Sequence, residues 1–238
     1  MTLRGYEPTS QPADGDYRLV RMAEDVASWI EYLGLDRVHL VGHDWGAVIG
    51  YYVAAIWPER LRSLTTLAVA HPGRLLQEYV RLPSQLAKSW YMFFFQMRGV
   101  AEAALARRDY AFIERLWRDW SPGWHLPADE VAALKSTLRR PGVLHAALGY
   151  YRAMFDVWSR DAREAQAQLA RPIEVSTLAL TGALDRCMDT RLHDSAMRSA
   201  DFVGGMRVVR VENAGHFLHQ EKPDEVNGVI LDWLQTVA

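Results

Sequence analysis

Only one of the 238 residues, Cys187, is a cysteine, so no disulfide can close within the chain and no zinc site built from cysteines can form. The default for such a chain is a reducing compartment, and a cytoplasmic protein is expected. A basic excess is also missing: 27 Lys and Arg stand against 29 Asp and Glu, a formal net charge of -2. Surfaces for nucleic acid or anionic membrane need clustered positive charge to offset phosphate, so neither partner is expected. The opening "MTLRGYEPTSQPADGDYR" has no apolar core that could serve as a secretory signal. The longest apolar stretch, about Trp45 to Trp57, is too short to cross a bilayer core of roughly 30 Å. Repeats and low-complexity tracts are absent as well. What is present is 50% hydrophobic and 24% charged sequence, enough to bury a sizeable interior in one domain or in a core with an insertion.

Leu19, Met22, Val26, Ile30 and Leu33 recur at steps of three and four, which predicts one face of an amphipathic helix that stops at Gly34. The short β-branched run "DRVHLVG" predicts a strand buried on both faces. "WGAVIGYYVAAIW" predicts a helix ended by Pro58, and "LRSLTTLAVA" a further strand. That order implies right-handed crossovers and a parallel sheet. From about Leu75 to Arg171 aromatics are dense and helical spacing dominates; here "RRDYAFIERLWRDW" reads as an amphipathic helix with Phe112, Leu116 and Trp120 inward. Alternation returns with "STLALTG", a polar helical "DTRLHDSAMRSA", the strand "MRVVRVEN" and a last helix whose Val226, Ile230, Trp233 and Val237 share a face. The expected architecture is an α/β core, residues 1–74 and 172–238, split by a helical cap over 75–171.

Residues 42–46 read "GHDWG", directly after the apolar run "RVHLV". A strand entering a tight turn and then a helix sets the turn residue at the carboxyl end of a parallel sheet, with its side chain in the cleft. Gly42 and Gly46 are expected to leave room for the turn. The residue on it is Asp44, where a nucleophile elbow usually carries serine. A serine must lose a proton to attack, whereas a carboxylate with a pKa near 4 is already an anion at neutral pH. Attack on a saturated carbon with a leaving group gives an ester, and a base is needed only to activate the water that hydrolyses it. "LTGALD" supplies Asp185 and "ENAGHF" supplies His216, each just past a predicted strand and in the chain order nucleophile, acid, histidine. Asp189 is a nearby rival for the acid, and His43 and His219 read as polar loop histidines.

On these residues the chain resembles an epoxide hydrolase of the α/β-hydrolase fold along its whole length. "LRGY" at 3–6, "GHDWG", "GALD" at 182–185 and "GHFLHQEKP" at 215–223 are in that family's style and order. "SWYMFFFQ" at 89–96 and "YYRA" at 150–153 resemble the two cap segments that carry its ring-opening tyrosines, which by that match are Tyr91 and Tyr151. Opening an epoxide creates a strongly basic alkoxide, and two phenols can hydrogen-bond or protonate it. The resemblance therefore implies attack by Asp44, donation from Tyr91 and Tyr151, hydrolysis by water that His216 activates with Asp185 behind it, and an oxyanion donor in the Trp45 amide. The reactants are a small apolar epoxide and water; no metal or organic cofactor is required.

Dehalogenases share the aspartate elbow and its neighbouring tryptophan, so a haloalkane dehalogenase is the alternative. The resemblance also departs at one point. Family members have some tens of residues ahead of "LRGY", with strands and a His-Gly-x-Pro loop that supplies a second oxyanion donor; loss of one such donor costs about 3 to 4 kcal/mol. A chain without that segment is expected to expose the "RVHLV" strand as an apolar edge and to self-associate there, to be a catalytically silent fragment, or to belong to a longer natural protein.

Overall fold

A computed structural model describes the backbone of residues 2–156 and 160–237. Its first regular helix, α1 (Leu19–Tyr32), buries Met22, Ala23, Val26 and Ile30, the face set by the three-and-four spacing. Leu33 is off that face and 58% exposed. The chain has left the helix there: the amides of Leu33, Gly34 and Leu35 fold back on the carbonyls of Trp29, Glu31 and Ile30, and Gly34 takes a φ of +66°.

Four strands, β1 (Val38–His43), β2 (Leu61–Leu67), β3 (Thr177–Gly182) and β4 (Met206–Val211), form one parallel sheet in that spatial order. Between β1 and β2 runs α2 (Trp45–Ile56), in which every residue from Ile49 to Ala55 is buried because the helix lies between α1 and the sheet. Pro58 follows its end, as expected. After β3 comes α10 (Arg191–Ala196), and after β4 come α11 (Leu218–Glu221) and α12 (Pro223–Thr236). Leu178 and Leu180 of β3 point to the α12 side, where Leu67, Val211, Val226, Ile230 and Trp233 gather; Ala179 points to the larger cluster with α1 and α2. Helices thus cover both faces of the sheet.

The β-branched run predicts β1 to be buried on both faces, whereas the departure from the family pattern predicts an apolar edge, and the structure agrees with the second. Among the described residues β1 pairs only with β2, and Val41 is 48% exposed. It is an apolar edge strand. The second strand is also shorter than its sequence suggests, ending at Leu67, because Ala68 turns to a φ of +69° while its amide reaches the Leu180 carbonyl.

Among the described residues, seven helices lie between β2 and β3: α3 (Pro72–Arg81), α4 (Pro83–Lys88), α5 (Trp90–Phe94), α6 (Val100–Trp120), α7 (Ala128–Arg139), α8 (Val143–Met154) and α9 (Arg160–Leu169). Helix α9 packs on α2 and α3, and α3 on α10, so the outermost helices of the insertion lie against the helices that flank the sheet. The amphipathic helix expected from Arg107 onward is broken at its start: Arg107 is extended, and Arg108, Asp109 and Tyr110 take φ values of 49°, 56° and 57°. The break brings Asp109 to Lys135 and Arg139, and the Tyr110 hydroxyl to the Leu138 carbonyl at 3.0 Å, so α7 holds it in place. No helix among the described residues is long and apolar enough to cross a membrane.

Two histidines are buried in this framework without hydrogen-bond partners on either ring nitrogen: His71, between the rings of Tyr51 and Phe202, and His193 on α10. Burial pushes both imidazoles down to about 4. Unfolded histidine, near 6.5, takes up protons first, so the stability these residues confer is complete above about pH 6.5 and is lost as the pH falls through about 4. The urea midpoint is therefore expected to drop on acidification from about pH 7 to about pH 4.5, with a shallower slope in His71→Phe; equal slopes would contradict this.

Candidate active site

Asp44 stands between β1 and α2 with φ 50° and ψ -118°, a conformation that a non-glycine residue adopts only when its surroundings impose it. The Asp44 amide reaches the Leu67 carbonyl at 3.3 Å, and its carbonyl accepts from Ala47 and Val48, which starts α2. Gly42 makes the turn sterically feasible: a Cβ there would lie 2.3 Å from the Gly46 carbonyl oxygen. Gly46 differs from expectation, since a Cβ on it would meet nothing within 4 Å. Its contribution is the close backbone, not the missing side chain.

The loops after β3 and β4 are joined to each other. Ala183 and Leu184 donate amides to the carbonyls of Val211 and Ala214, and a Cβ on Gly182 would lie 2.1 Å from the Gly215 carbonyl oxygen. This contact sets Asp185 against His216. One Asp185 oxygen accepts the Cys187 and Met188 amides at 2.7 and 2.8 Å, and the other meets His216 Nδ1 at 2.9 Å. His216 is fully buried; its Nε2 faces Asp44 Oδ1 at 3.5 Å, where the Asp44 side chain is 39% exposed. Asp189 is engaged elsewhere, by Arg191 and the Ser84 hydroxyl.

Charge follows from this arrangement. Burial works against the Asp44 carboxylate, but the hydrogen bond and positive charge of His216 outweigh it, and the carboxyl is held below its usual value. The neighbouring Trp45 amide also helps to hold that carboxyl down. Burial likewise works against a charged His216, and the acidic neighbours Cys187, Asp185 and Asp44 outweigh it, so the imidazole is held well above its usual value. His43, read from sequence as a loop histidine, has a closer relation to the site: its Nε2 meets the His216 carbonyl at 2.9 Å. Burial, with His216 and His219 nearby, pushes the His43 ring down to about 3.

Two helices of the insertion place Tyr91 and Tyr151 together. Their rings meet edge to face at 5.9 Å, Tyr151 packs on Trp45 at 5.3 Å, and Phe95 touches both. Burial, reinforced by the charge of Asp44, holds both phenols well above their usual value, so both are protonated donors at neutral pH. Tyr150 is turned away, giving its hydroxyl to the Arg4 carbonyl at 2.5 Å. Sequence reasoning missed four participants. Tyr6 and Tyr79 also feel the Asp44 charge, and burial first and foremost pushes each up to about 12. The Cys187 thiol, counted above only as an unpaired cysteine, lies 3.5 Å from the Tyr91 hydroxyl. Trp120, expected only to face inward, packs on Tyr91 at 5.1 Å and on His216 at 5.4 Å. The signals available were the quoted "LRGY" for Tyr6 and the position of Cys187 two residues past Asp185; Tyr79 and Trp120 had none.

The sequence profile of the alpha/beta hydrolase fold family matches residues 2–223. Epoxide hydrolase 2 of Caenorhabditis elegans is 30% identical over 230 residues, covering 94% of this chain and 62% of that protein. Human epoxide hydrolase 4 is 27% identical, covering 99% of this chain and 64% of the relative. The chain thus spans somewhat under two thirds of the length of these curated relatives. Among solved structures, a Bacillus megaterium epoxide hydrolase in complex with an inhibitor superposes with a TM-score of 0.82 at 27% identity, covering 98% of this chain and 82% of that one.

Asp44→Asn removes the carboxylate that faces His216 Nε2, so the imidazole pKa should fall; an NMR titration of labelled histidine checks this, and an unchanged value would refute the pairing. Gly42→Ala should destabilise the fold by about 1–3 kcal/mol, because the new methyl has only backbone to displace; chemical denaturation measures it.

Proposed function

This chain belongs to the alpha/beta hydrolase fold family, and on that footing we propose that it opens an epoxide to a vicinal diol through an ester on Asp44. The observation that carries the reading is a carboxylate at the elbow, 3.5 Å from the buried His216 Nε2. The relatives named epoxide hydrolase support it.

An Asp44 oxygen attacks an epoxide carbon and the carbon–oxygen bond breaks. The developing alkoxide takes a proton from Tyr91 or Tyr151, donors supplied by the insertion acting as a cap over the cleft, residues 75–171. The product of this step is a hydroxyalkyl ester. Ester formation also removes the negative charge that helped hold His216 protonated, so the imidazole gives up its proton, the tyrosinate is returned to the phenol, and His216 is neutral when a base is first required. His216 then takes a proton from water, with Asp185 fixing its orientation through Nδ1. The hydroxide attacks the ester carbonyl, and the neighbouring Trp45 amide stabilises the oxyanion. Collapse expels the diol and restores Asp44. The substrate is a small or medium apolar epoxide, in keeping with the Phe, Trp and Tyr rings around the site.

Purified protein should convert styrene oxide to its diol, and Asp44→Ala should abolish the conversion. His216→Gln should stop after the first step, with the intact mass raised by that of one epoxide. Replacing both Tyr91 and Tyr151 by Phe should slow ring opening by about a hundredfold or more. Diol formation that survives in Asp44→Ala, or halide release from a bromoalkane without any epoxide turnover, would overturn the proposal.

A further inference from the structure

The backbone around His216 has none of the freedom of an ordinary loop. The His216 amide donates to the Trp120 carbonyl at 3.3 Å, and its carbonyl is met by His43 Nε2 at 2.9 Å. On one side the Gly215 amide donates to both oxygens of Glu221, at 3.0 and 2.9 Å. On the other the Phe217 amide donates to the Ser121 hydroxyl at 3.2 Å, and that hydroxyl donates to Glu221 at 2.7 Å. Ser121 is 1% exposed, so these bonds are shielded from water. The approach is close enough that a Cβ on Gly215 would lie 2.5 Å from the Ser121 Cα.

Two of these partners come from the insertion. Trp120 is the last residue of α6 and Ser121 caps it, and the same Trp120 carbonyl also accepts the Arg186 amide beside Asp185 at 3.1 Å. The end of α6 therefore fixes the loop of the acid and the loop of the base together, with the Glu221 carboxylate as its anchor. None of these bonds reaches Asp44, and none reaches the hydroxyls of Tyr91 or Tyr151.

We propose that Ser121 and Glu221 are positioning residues for the second half of the reaction: they hold His216 where it can activate water, and they govern ester hydrolysis without governing ring opening. The inference rests on the mechanism given above. In a two-step mechanism kcat/KM reports the steps up to the first irreversible one, here ester formation, while kcat reports the slower of the two steps. A defect confined to hydrolysis lowers kcat and KM together. A general loosening of the site lowers kcat/KM as well.

Ser121→Ala and Glu221→Gln should each lower kcat about ten- to a hundredfold, the usual scale for a misplaced catalytic group. KM should fall with it, kcat/KM should stay within about twofold of the parent, and the Asp44 ester should accumulate during turnover, seen as a mass adduct. Unchanged kcat, or a fall in kcat/KM as large as that in kcat, would overturn the assignment. Should Ser121→Ala not fold, Glu221→Gln decides alone, since it retains the size of the side chain. A parent protein that makes no diol would defeat the functional reading instead. In that case the proton between His216 Nδ1 and Asp185 still tests the clamp by NMR: a shifted or broadened resonance in Glu221→Gln supports it, and an unaltered one refutes it.

Discussion

Gly42 has no side chain, and the carbonyl of Gly46 passes through the space that one would fill. From that contact the remaining geometry follows. The strand can turn into α2 within a few residues, Asp44 is forced to a positive φ, and its carboxylate stands off the end of the sheet instead of lying along it. Because the sheet is parallel, the ends of β3 and β4 emerge on the same rim, so the loops with Asp185 and His216 meet Asp44 without any long excursion of the chain. A second glycine contact, Gly182 against Gly215, does for Asp185 and His216 what Gly42 does for Asp44.

The insertion adds what the sheet cannot supply. A carboxylate and an imidazole can make and break an ester, but the proposed epoxide oxygen needs a proton donor above it, and the donors proposed for it, Tyr91 and Tyr151, come from α5 and α8. Those helices are tied to each other by polar contacts. Arg152, next to Tyr151, is buried against Glu102 and the Phe95 carbonyl, and the Gln96 amide bonds the carbonyls of Met92 and Tyr151. The paired phenols are thus held through polar contacts of the residues beside them. Burial keeps both protonated.

Much of the core was legible because each element announced itself locally. The three-and-four spacing of Met22, Val26 and Ile30 marked α1, and Asp44, Asp185 and His216 each followed a run of strand residues. Tyr91 and Tyr151 became visible only through the family resemblance, since a tyrosine among so many aromatics carries no mark of its own. Long-range pairing was not legible from local pattern. The edge position of β1 followed from the comparison with the family's strands, not from its β-branched composition. The break in α6 falls on Arg108, Asp109 and Tyr110, which have no glycine among them to signal left-handed backbone and which are held by residues of α7. Ser121 is a hundred residues from Glu221 along the chain, and no local pattern joins a serine at the end of one helix to a glutamate in another.

The edge position of β1 has a consequence for how the molecule comes apart. Asp185 and His216 follow strands that are paired with each other, whereas the strand that delivers Asp44 is hydrogen-bonded on one side only among the described residues. Local opening begins where backbone pairing is least shared. A fluctuation that frees β1 from β2 would carry Asp44 away while Asp185, His216 and the helices of Tyr91 and Tyr151 stayed assembled. Such a species would keep most of its secondary structure and lack the proposed nucleophile, so among the described residues the pairing of β1 with β2 is the contact on which the lifetime of the site rests.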